Sequence, residues 1–300
     1  MHTFLQQLIN GLAWGSIYAL IALGYTMVYG VLKLINFAHG DVYMIGAMTG
    51  YYLGRALGIT ESGTFFQFLL VLGGSMFVCG VLGFLIERLA YRPLRNAPRL
   101  AALITAIGVS LFLEYAGQWL FGPDPKLFPP LLTARPVFAV GGIVLNTIQV
   151  TIFAVSLTIA LGLRWIVMRT RIGTAMRAVS FSHTAAHLMG INVNRVISFT
   201  FILGSVLAAA AGILVGISNP KVEPLMGILP GLKAFVAAVL GGIGNIPGAL
   251  LGGLLIGVSE SMVVGYLSST YRDALAFIIL IVILLCRPQG LLGERVVEKV

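Results

Sequence analysis

The sequence predicts an all-α membrane protein: a polytopic helical bundle of about eight to ten transmembrane segments with short discontinuous helices. Three observations carry that prediction. Hydrophobic residues make up 58% of the 300 residues and charged residues only 10%, with a mean hydropathy of +0.99. A soluble domain averages roughly 45–50% apolar and about 25% charged. Ten acidic side chains in 31.9 kDa cannot coat a water-facing surface. Apolar runs near the length of a span, about 20 residues, recur along the whole chain. None of them alternates like a barrel strand, and lipid admits only helices or closed barrels as spanning structures. A soluble enzyme, a disordered chain and a secreted disulfide scaffold are excluded.

The runs fall at Leu8–Val31, Phe37–Gly54, Phe65–Ile86, Ala101–Phe121, Ile143–Met168, Val196–Ile217, Leu232–Ile243, Pro247–Tyr266 and Ala274–Cys286. The first lacks a preceding Lys or Arg and a small-residue cleavage site, so it is expected to stay in the mature chain. The second contains His39 and Asp41, and the seventh is shorter than an ordinary span; both are candidates for irregular segments. Cys79 and Cys286 lie in or beside apolar runs, as two small buried hydrophobes would, with no disulfide framework indicated.

Between the third and fourth runs stand Arg88, Arg92, Arg95 and Arg99; around 164–195 stand Arg164, Arg169, Arg171, Arg177 and Arg195; the tail carries Arg287, Arg295 and Lys299. Those regions hold 12 of the 19 cations, and the positive-inside bias assigns all three, including the C-terminus, to the cytoplasm. Segment parity agrees, while the side of the N-terminus is left open. The stretch 122–142 holds Pro123, Pro125, Pro129, Pro130 and Pro136, five of the 12 prolines, and reads as a stiff outer connector or as a platform for a partner. Glycine, at 37 residues, recurs every four positions at Gly11 and Gly15, at Gly46, Gly50 and Gly54, at Gly212 and Gly216, at Gly244, Gly248 and Gly252, and at Gly253 and Gly257. That spacing lines one helix face and lets backbones approach closely.

No phosphate-binding G-x-x-x-x-G-K-[ST] loop is present, so the chain has no ATPase motif of its own. No H-E-x-x-H, C-x-x-C or G-x-S-x-G pattern occurs, and neither a metal site nor a catalytic residue is suggested. Ionisable groups at membrane depth are costly and mark pathway candidates. Here they are His39, Asp41, Glu114, Lys233 and Glu260, with the polar residues Asn36, Gln118 and Asn245. His39 and Asp41, two apart, do not share a helix face. Asn36 or Asp41 could instead cap the second segment. Glu114 reads either as a carboxylate satisfied by a neighbouring helix or as pathway lining. Lys233 is placed to snorkel to the outer interface, and Glu260 to pair with it.

The stretch Leu240-Gly241-Gly242-Ile243-Gly244-Asn245-Ile246-Pro247-Gly248 breaks an apolar region with glycines and a proline. It reads as a tight cytoplasmic turn or as a discontinuous helix beside a pathway. The basic loop 169–195 contains Thr184-Ala185-Ala186-His187-Leu188-Met189, which Ser180 or Ser182 can N-cap and Gly190 can end. Too short and polar to span, this helix is expected to lie across the cytoplasmic face as an interfacial helix or a docking element.

At this loop the whole pattern resembles a known family. The stretches GSIYALIALGYTMVYGVLKLINFAHGDVYMIGA (15–47), ERLAYRPLR (87–95), AAHLMGINVNRVI (185–197), GLKAFVAAVLGGIGNIPGALLGGLLIG (231–257) and VEKV (297–300) are similar to permease subunits of branched-chain amino acid ABC importers. The resemblance runs nearly end to end and is weakest near 122–142. It implies a single permease domain, 1–300, of the type II ABC importer kind, multi-pass in a bacterial inner membrane. It implies a second permease chain, homologous or identical, two cytoplasmic ABC ATPase subunits that hydrolyse ATP with Mg, and a periplasmic binding protein that delivers Leu, Ile or Val. It implies no cofactor bound by this chain and no nucleic acid. It marks Ala185, Ala186, Leu188, Met189, Gly190 and Ile191 as the ATPase-coupling helix, and gives His187 no role. It names no pathway ligands. From the residues alone, pathway or gating candidates are Asn36, His39, Asp41, Glu114, Gly241, Gly242, Gly244, Asn245, Pro247, Gly248 and Glu260. Other cargoes (urea, short amides, another small amino acid) and a stand-alone channel or ion-coupled carrier are the competing functions; a membrane-embedded enzyme lacks a constellation to support it.

Overall fold

A computed structural model describes residues 2–95, 97–140 and 142–293, and within them eleven α-helices account for most of the chain. They are α1 (His2–Leu32), α2 (His39–Ala56), α3 (Phe65–Ile86), α4 (Arg99–Phe121), α5 (Thr147–Arg169), α6 (Arg171–Phe181), α7 (His183–Leu188), α8 (Val193–Ser218), α9 (Ile228–Gly241), α10 (Ile246–Tyr266) and α11 (Arg272–Cys286). A π-helical turn, Glu87–Tyr91, and a 3-10 turn, Arg92–Leu94, prolong α3. Among the described residues seven helices are long and apolar enough to cross a membrane; α9 is a shorter apolar helix. The tail cations Arg295 and Lys299 and the ending 297–300 lie outside the described residues.

Polar residues set the helix starts where the apolar runs leave them open. Thr64 and Gln67 form a reciprocal capping box at α3, and Asn146 and Gln149 form another at α5. Thr170, Ser182, Asn192 and Asn245 accept from the backbone N–H three residues on and begin α6, α7, α8 and α10. The run beginning at Ile143 does not start a helix there. Ile143–Asn146 is a strand, β3, paired antiparallel with β2 (Pro136–Val140), and α5 starts only at Thr147.

Contacts sort the helix ends into two groups. The hairpin end gathers the start of α1 (Gln6 bonds Val144), the end of α2 (Gly63 N–H donates to Pro130) and the end of α8 (Phe128 N–H donates to the Pro220 carbonyl). There β1 (Lys126–Leu127) pairs with β4 (Lys221–Val222), and buried Phe128 and Leu131 turn the proline-rich connector into a cover over the bundle. The basic end gathers the end of α1, the α3–α4 connection, α6, α7 and the α9–α10 turn. His183 Nε2–H donates to the Val31 carbonyl at 2.8 Å, which fixes the end of α1 beside α7. The start of α1 is therefore at the hairpin end, a point the charge pattern left open.

α2 and α9 start inside the bundle. His39, the first residue of α2, donates from Nε2 to the carbonyl of Ile21 at 3.2 Å. Ile21 lies eleven residues before the end of α1, about 16 Å at 1.5 Å per residue. Gly40 packs against Gly227 and Gly231 at the start of α9. Two helix N-termini thus meet at mid-depth, α2 leaving toward the hairpin end and α9 toward the basic end.

This gives two copies of one motif in opposite orientation, α1–α4 and α8–α11. α1 packs on α10 as α8 packs on α3, and α2 lies on α8 as α9 lies on α1. Such inverted repeats place discontinuous helices at their interface. Small residues make the close approaches: a Cβ on Gly253 would fall 2.5 Å from the Ala19 Cα, and one on Gly46 would fall 2.6 Å from the Ala209 Cα. Cys79 is buried as expected, whereas Cys286 at the end of α11 is exposed, because that helix has little of the chain beside it.

Candidate functional site

The mid-depth junction collects the polar residues of α2. His39 turns to α1, its ring 4.6 Å from that of Tyr25. Asp41, two residues on, turns the other way and accepts a hydrogen bond from Ser110 Oγ of α4 at 2.5 Å. Glu114, half-buried, follows Ser110 by one turn of α4. Neither Asn36 nor Asp41 caps α2: its N-cap position is Ala38, without a side-chain cap bond. Asn36 is used at long range, where its Oδ1 accepts from Tyr91 OH of the π turn at 2.9 Å. The start of α9 at Gly227 is likewise without a side-chain cap. Two helix N-termini without side-chain caps, whose dipoles favour negative charge, therefore stand beside a carboxylate–hydroxyl pair.

A second constellation is the buried ion cluster toward the hairpin end. Glu260 of α10 is paired with Lys233 of α9 at 2.7 Å and with Arg272 at the start of α11 at 3.0 Å, and it accepts from Tyr18 OH of α1 at 2.9 Å. Lys233 does not snorkel. Its side chain is 4% exposed, held between Glu260 and Asp273, which lies 2.6 Å away. Charge complementarity outweighs the pull of the interface because two carboxylates, Glu260 and Asp273, converge on the ammonium group. Arg272 also stacks on Trp14, 4.9 Å from the ring centroid.

The glycine-rich stretch is a turn at the basic end. Gly242 and Gly244 adopt φ of +103° and +99°, and Gly241 and Gly248 bring α9 and α10 into backbone contact. Pro247 occupies the first turn of α10 under the Asn245 cap. The segment 290–293 lies across this turn. Leu291 and Leu292 N–H donate to the last carbonyls of α9, Leu240 and Gly241, and Asn245 Nδ2 donates to the Leu292 carbonyl. The structure uses Gly241, Gly242, Gly244, Asn245, Pro247 and Gly248 here, away from Asn36, His39, Asp41 and Glu114.

The short helix forms as its caps require. Ser182 accepts from Ala185 N–H, and Gly190 ends α7 with φ +78°. Leu188 and Met189 are 82% and 81% exposed, and Phe181 before them 92%. Ala185 and Gly190 are also exposed and Ile191 half-buried. Ala186 is buried, so it anchors α7 to the bundle and leaves the contact surface to its neighbours.

Sequence reasoning missed Glu87. It is the carboxylate that opens ERLAYRPLR and is fully buried at the end of α3. It pairs with Arg95 and accepts from Ser198 Oγ of α8 at 2.6 Å, while Arg95 also bonds Asn194 of α8. An acid placed directly after an apolar run and before a string of arginines was the available signal. Ser110 was missed as well and carried none.

The family described as branched-chain amino acid transport system / permease component matches residues 7–284. The chain is 45% identical to the high-affinity branched-chain amino acid transport system permease protein BraD of Pseudomonas aeruginosa, over 100% of this chain and 99% of that one. It is 44% identical to LivH of Escherichia coli K12, a permease protein of the same description, over 99% and 98%. The probable branched-chain amino acid transport permease protein LivH of Methanocaldococcus jannaschii is 31% identical over 95% and 91%. Among solved structures, PsaBC from Streptococcus pneumoniae in complex with Fab aligns over 95% of this chain and 92% of its own at 15% identity and TM-score 0.48.

Proposed function

Since this chain belongs to the branched-chain amino acid transport permease family, we propose that it is the membrane-spanning subunit of an ATP-driven importer of Leu, Ile and Val. It is a membrane permease and not an enzyme. Its energy comes from partners: two ABC ATPase subunits bind at the basic end, which the positive-inside bias assigns to the cytoplasm together with the C-terminus. A binding protein delivers cargo at the hairpin end, and a second permease chain, homologous or identical, completes the pathway. The observation that carries this reading is α7, a capped helix held by buried Ala186 and by the His183 bond to Val31, that projects Leu188 and Met189 into solvent. A soluble ATPase with an apolar groove would cover that surface.

Within the membrane, the mid-depth junction supports a pathway role for Asn36, His39, Asp41 and Glu114. An amino acid zwitterion carries both charges. Asp41 and Glu114 suit its ammonium group, and the uncapped N-termini of α2 and α9 suit its carboxylate. ATP-driven closure of the partner subunits displaces α7, and the two opposed repeats rock about the Gly40–Gly227 contact. Glycines 241, 242, 244 and 248, with Asn245 and Pro247, then act as the hinge seat beneath α9 and α10, and Glu260 holds the opposite end.

The test is co-purification from mild detergent followed by reconstitution in liposomes with labelled leucine. Two ATPases, a second permease and ATP-dependent uptake are expected. Leu188→Asp is expected to abolish ATPase recovery, and Gly190→Phe to weaken it, because a side chain at φ +78° costs about 1–2 kcal/mol. A chain that purifies alone and transports alone sinks the reading in favour of a channel or ion-coupled carrier.

A further inference from the structure

We propose that Glu87 is the positioning residue that links the ATPase-docking helix to the bundle: the Glu87–Arg95 pair, tied to α8 through Ser198 and Asn194, transmits displacement of α7 into α3 and α4. The inference rests on the docking role of α7 given above.

The connections are continuous in space. α7 runs into α8 through Gly190, and the first turns of α8 carry Asn194 and Ser198. Asn194 accepts from Arg95 Nη1, Arg95 Nη2 pairs with Glu87, and Glu87 accepts from Ser198. Glu87 opens the π turn whose last residue, Tyr91, holds Asn36 just before α2. From the docking helix to the mid-depth junction, each step is therefore a direct polar contact or a continuous piece of chain. π turns recur at functional bends in helices.

Two physical arguments favour transmission over simple fastening. A buried ion pair is a poor source of stability, because desolvation offsets its attraction, whereas breaking it is costly. Such pairs suit positions where one arrangement must be kept and passed on. Arg95, though not Glu87, also borders an open cleft of about 340 Å³ lined by Leu32, Leu34, Arg92, His183 and Asn194. Packed interiors do not deform continuously. An open cleft between α7–α8 and the α3–α4 connection leaves those two bodies room to shift while the polar link holds their register.

The inverted repeat supplies a comparison within the molecule. Glu260, Arg272 and Tyr18 stand in α10, α11 and α1; Glu87, Arg95 and Ser198 stand in the corresponding parts of the other copy, the π turn after α3, the α3–α4 connection and α8. The outer cluster has Lys233 as an added cation but no docking helix beside it. Only the inner pair is placed to receive motion from a partner.

The experiment measures leucine imported per ATP hydrolysed in the reconstituted complex, with recovery of the ATPases on the tagged permease as the assembly control. Glu87→Gln removes the charge and keeps the shape. The double variant Asn194→Ala/Ser198→Ala removes both polar ties from α8 to the Glu87–Arg95 pair and leaves the pair intact, so it is decisive should Glu87→Gln fail to assemble. Each assembled variant is expected to import about tenfold less leucine per ATP, the scale of a typical coupling energy, with ATPase recovery unchanged. A wild-type ratio in the assembled double variant overturns the proposal. Failure of the unaltered permease to retain any ATPase overturns the docking role of α7, and the link with it.

Discussion

The Lys233–Glu260 pair is where a single substitution has a magnitude that can be worked out. At 2.7 Å and an effective dielectric constant near 20, the gross attraction is about 6 kcal/mol. Desolvating two charges that are 4% and 2% exposed cancels most of this, so the pair adds little net stability. Removing one partner is different, because it strands the other and costs about 3–5 kcal/mol. The neighbours rank the variants. Lys233→Met leaves Glu260 its bonds from Arg272 and Tyr18, which places it at the lower end, about 3 kcal/mol. Glu260→Gln leaves Lys233 with Asp273, half in solvent, and takes the anion from Arg272 as well; about 5 kcal/mol is expected. Asp273→Asn breaks a pair whose acidic partner is 51% exposed and costs about 1 kcal/mol or less. The double variant Lys233→Met/Glu260→Gln should fall short of the summed single costs by about 2 kcal/mol or more, since neither member of the pair is then left to be stranded by loss of the other. Unfolding of the purified chain in mixed detergent–denaturant micelles measures all four. Additivity within about 0.5 kcal/mol, or Asp273→Asn as the most damaging single change, would refute this account of the cluster.

Other perturbations address different levels of the fold. Gly253→Leu drives a Cβ to 2.5 Å from the Ala19 Cα; the overpacking costs about 1–3 kcal/mol or more and should appear as lost monodisperse protein on size exclusion. Asn245→Ala removes the α10 cap and the bond to the Leu292 carbonyl, about 2 kcal/mol together, read as a lower melting temperature. Asp41→Asn should leave ATPase recovery intact and lower leucine uptake by about tenfold or more, the effect of losing a charge-assisted contact to a bound ligand; unchanged uptake would remove Asp41 from the pathway.

Element positions were legible because bilayer thickness enforces a length on each apolar run. Phe65–Ile86, read from composition, coincides with α3, and Pro247–Tyr266 differs from α10 by one residue. The start of α5 was misplaced because three apolar residues, Ile143–Leu145, before the capping Asn146 satisfy a strand as well as a helix, and pairing with Pro136–Val140 decided it. The depth at which α2 begins was not legible, since hydropathy reports what a segment tolerates and not where its neighbour holds it. Asn36 illustrates the same gap: its local position suggests a cap, while the partner that claims it, Tyr91, is 55 residues away. The pairing of Glu260 with Lys233 was foreseeable because deep charges are few in this chain and two opposite ones need each other. Glu87 escaped notice because the arginines after it make the segment look solvated.

The opposed repeats constrain how this chain can be inserted into a membrane. The connection after α3 and the connection after α10 are equivalent turns facing opposite sides, so the charge code that orients membrane proteins cannot treat them alike. Arg88, Arg92 and Arg95 crowd the first. The second, 267–271, has no lysine or arginine, and the one that follows, Arg272, is neutralised by Glu260. Equivalent turns at the two ends of the bundle thus differ in their count of basic residues, which is the quantity that the positive-inside bias reads.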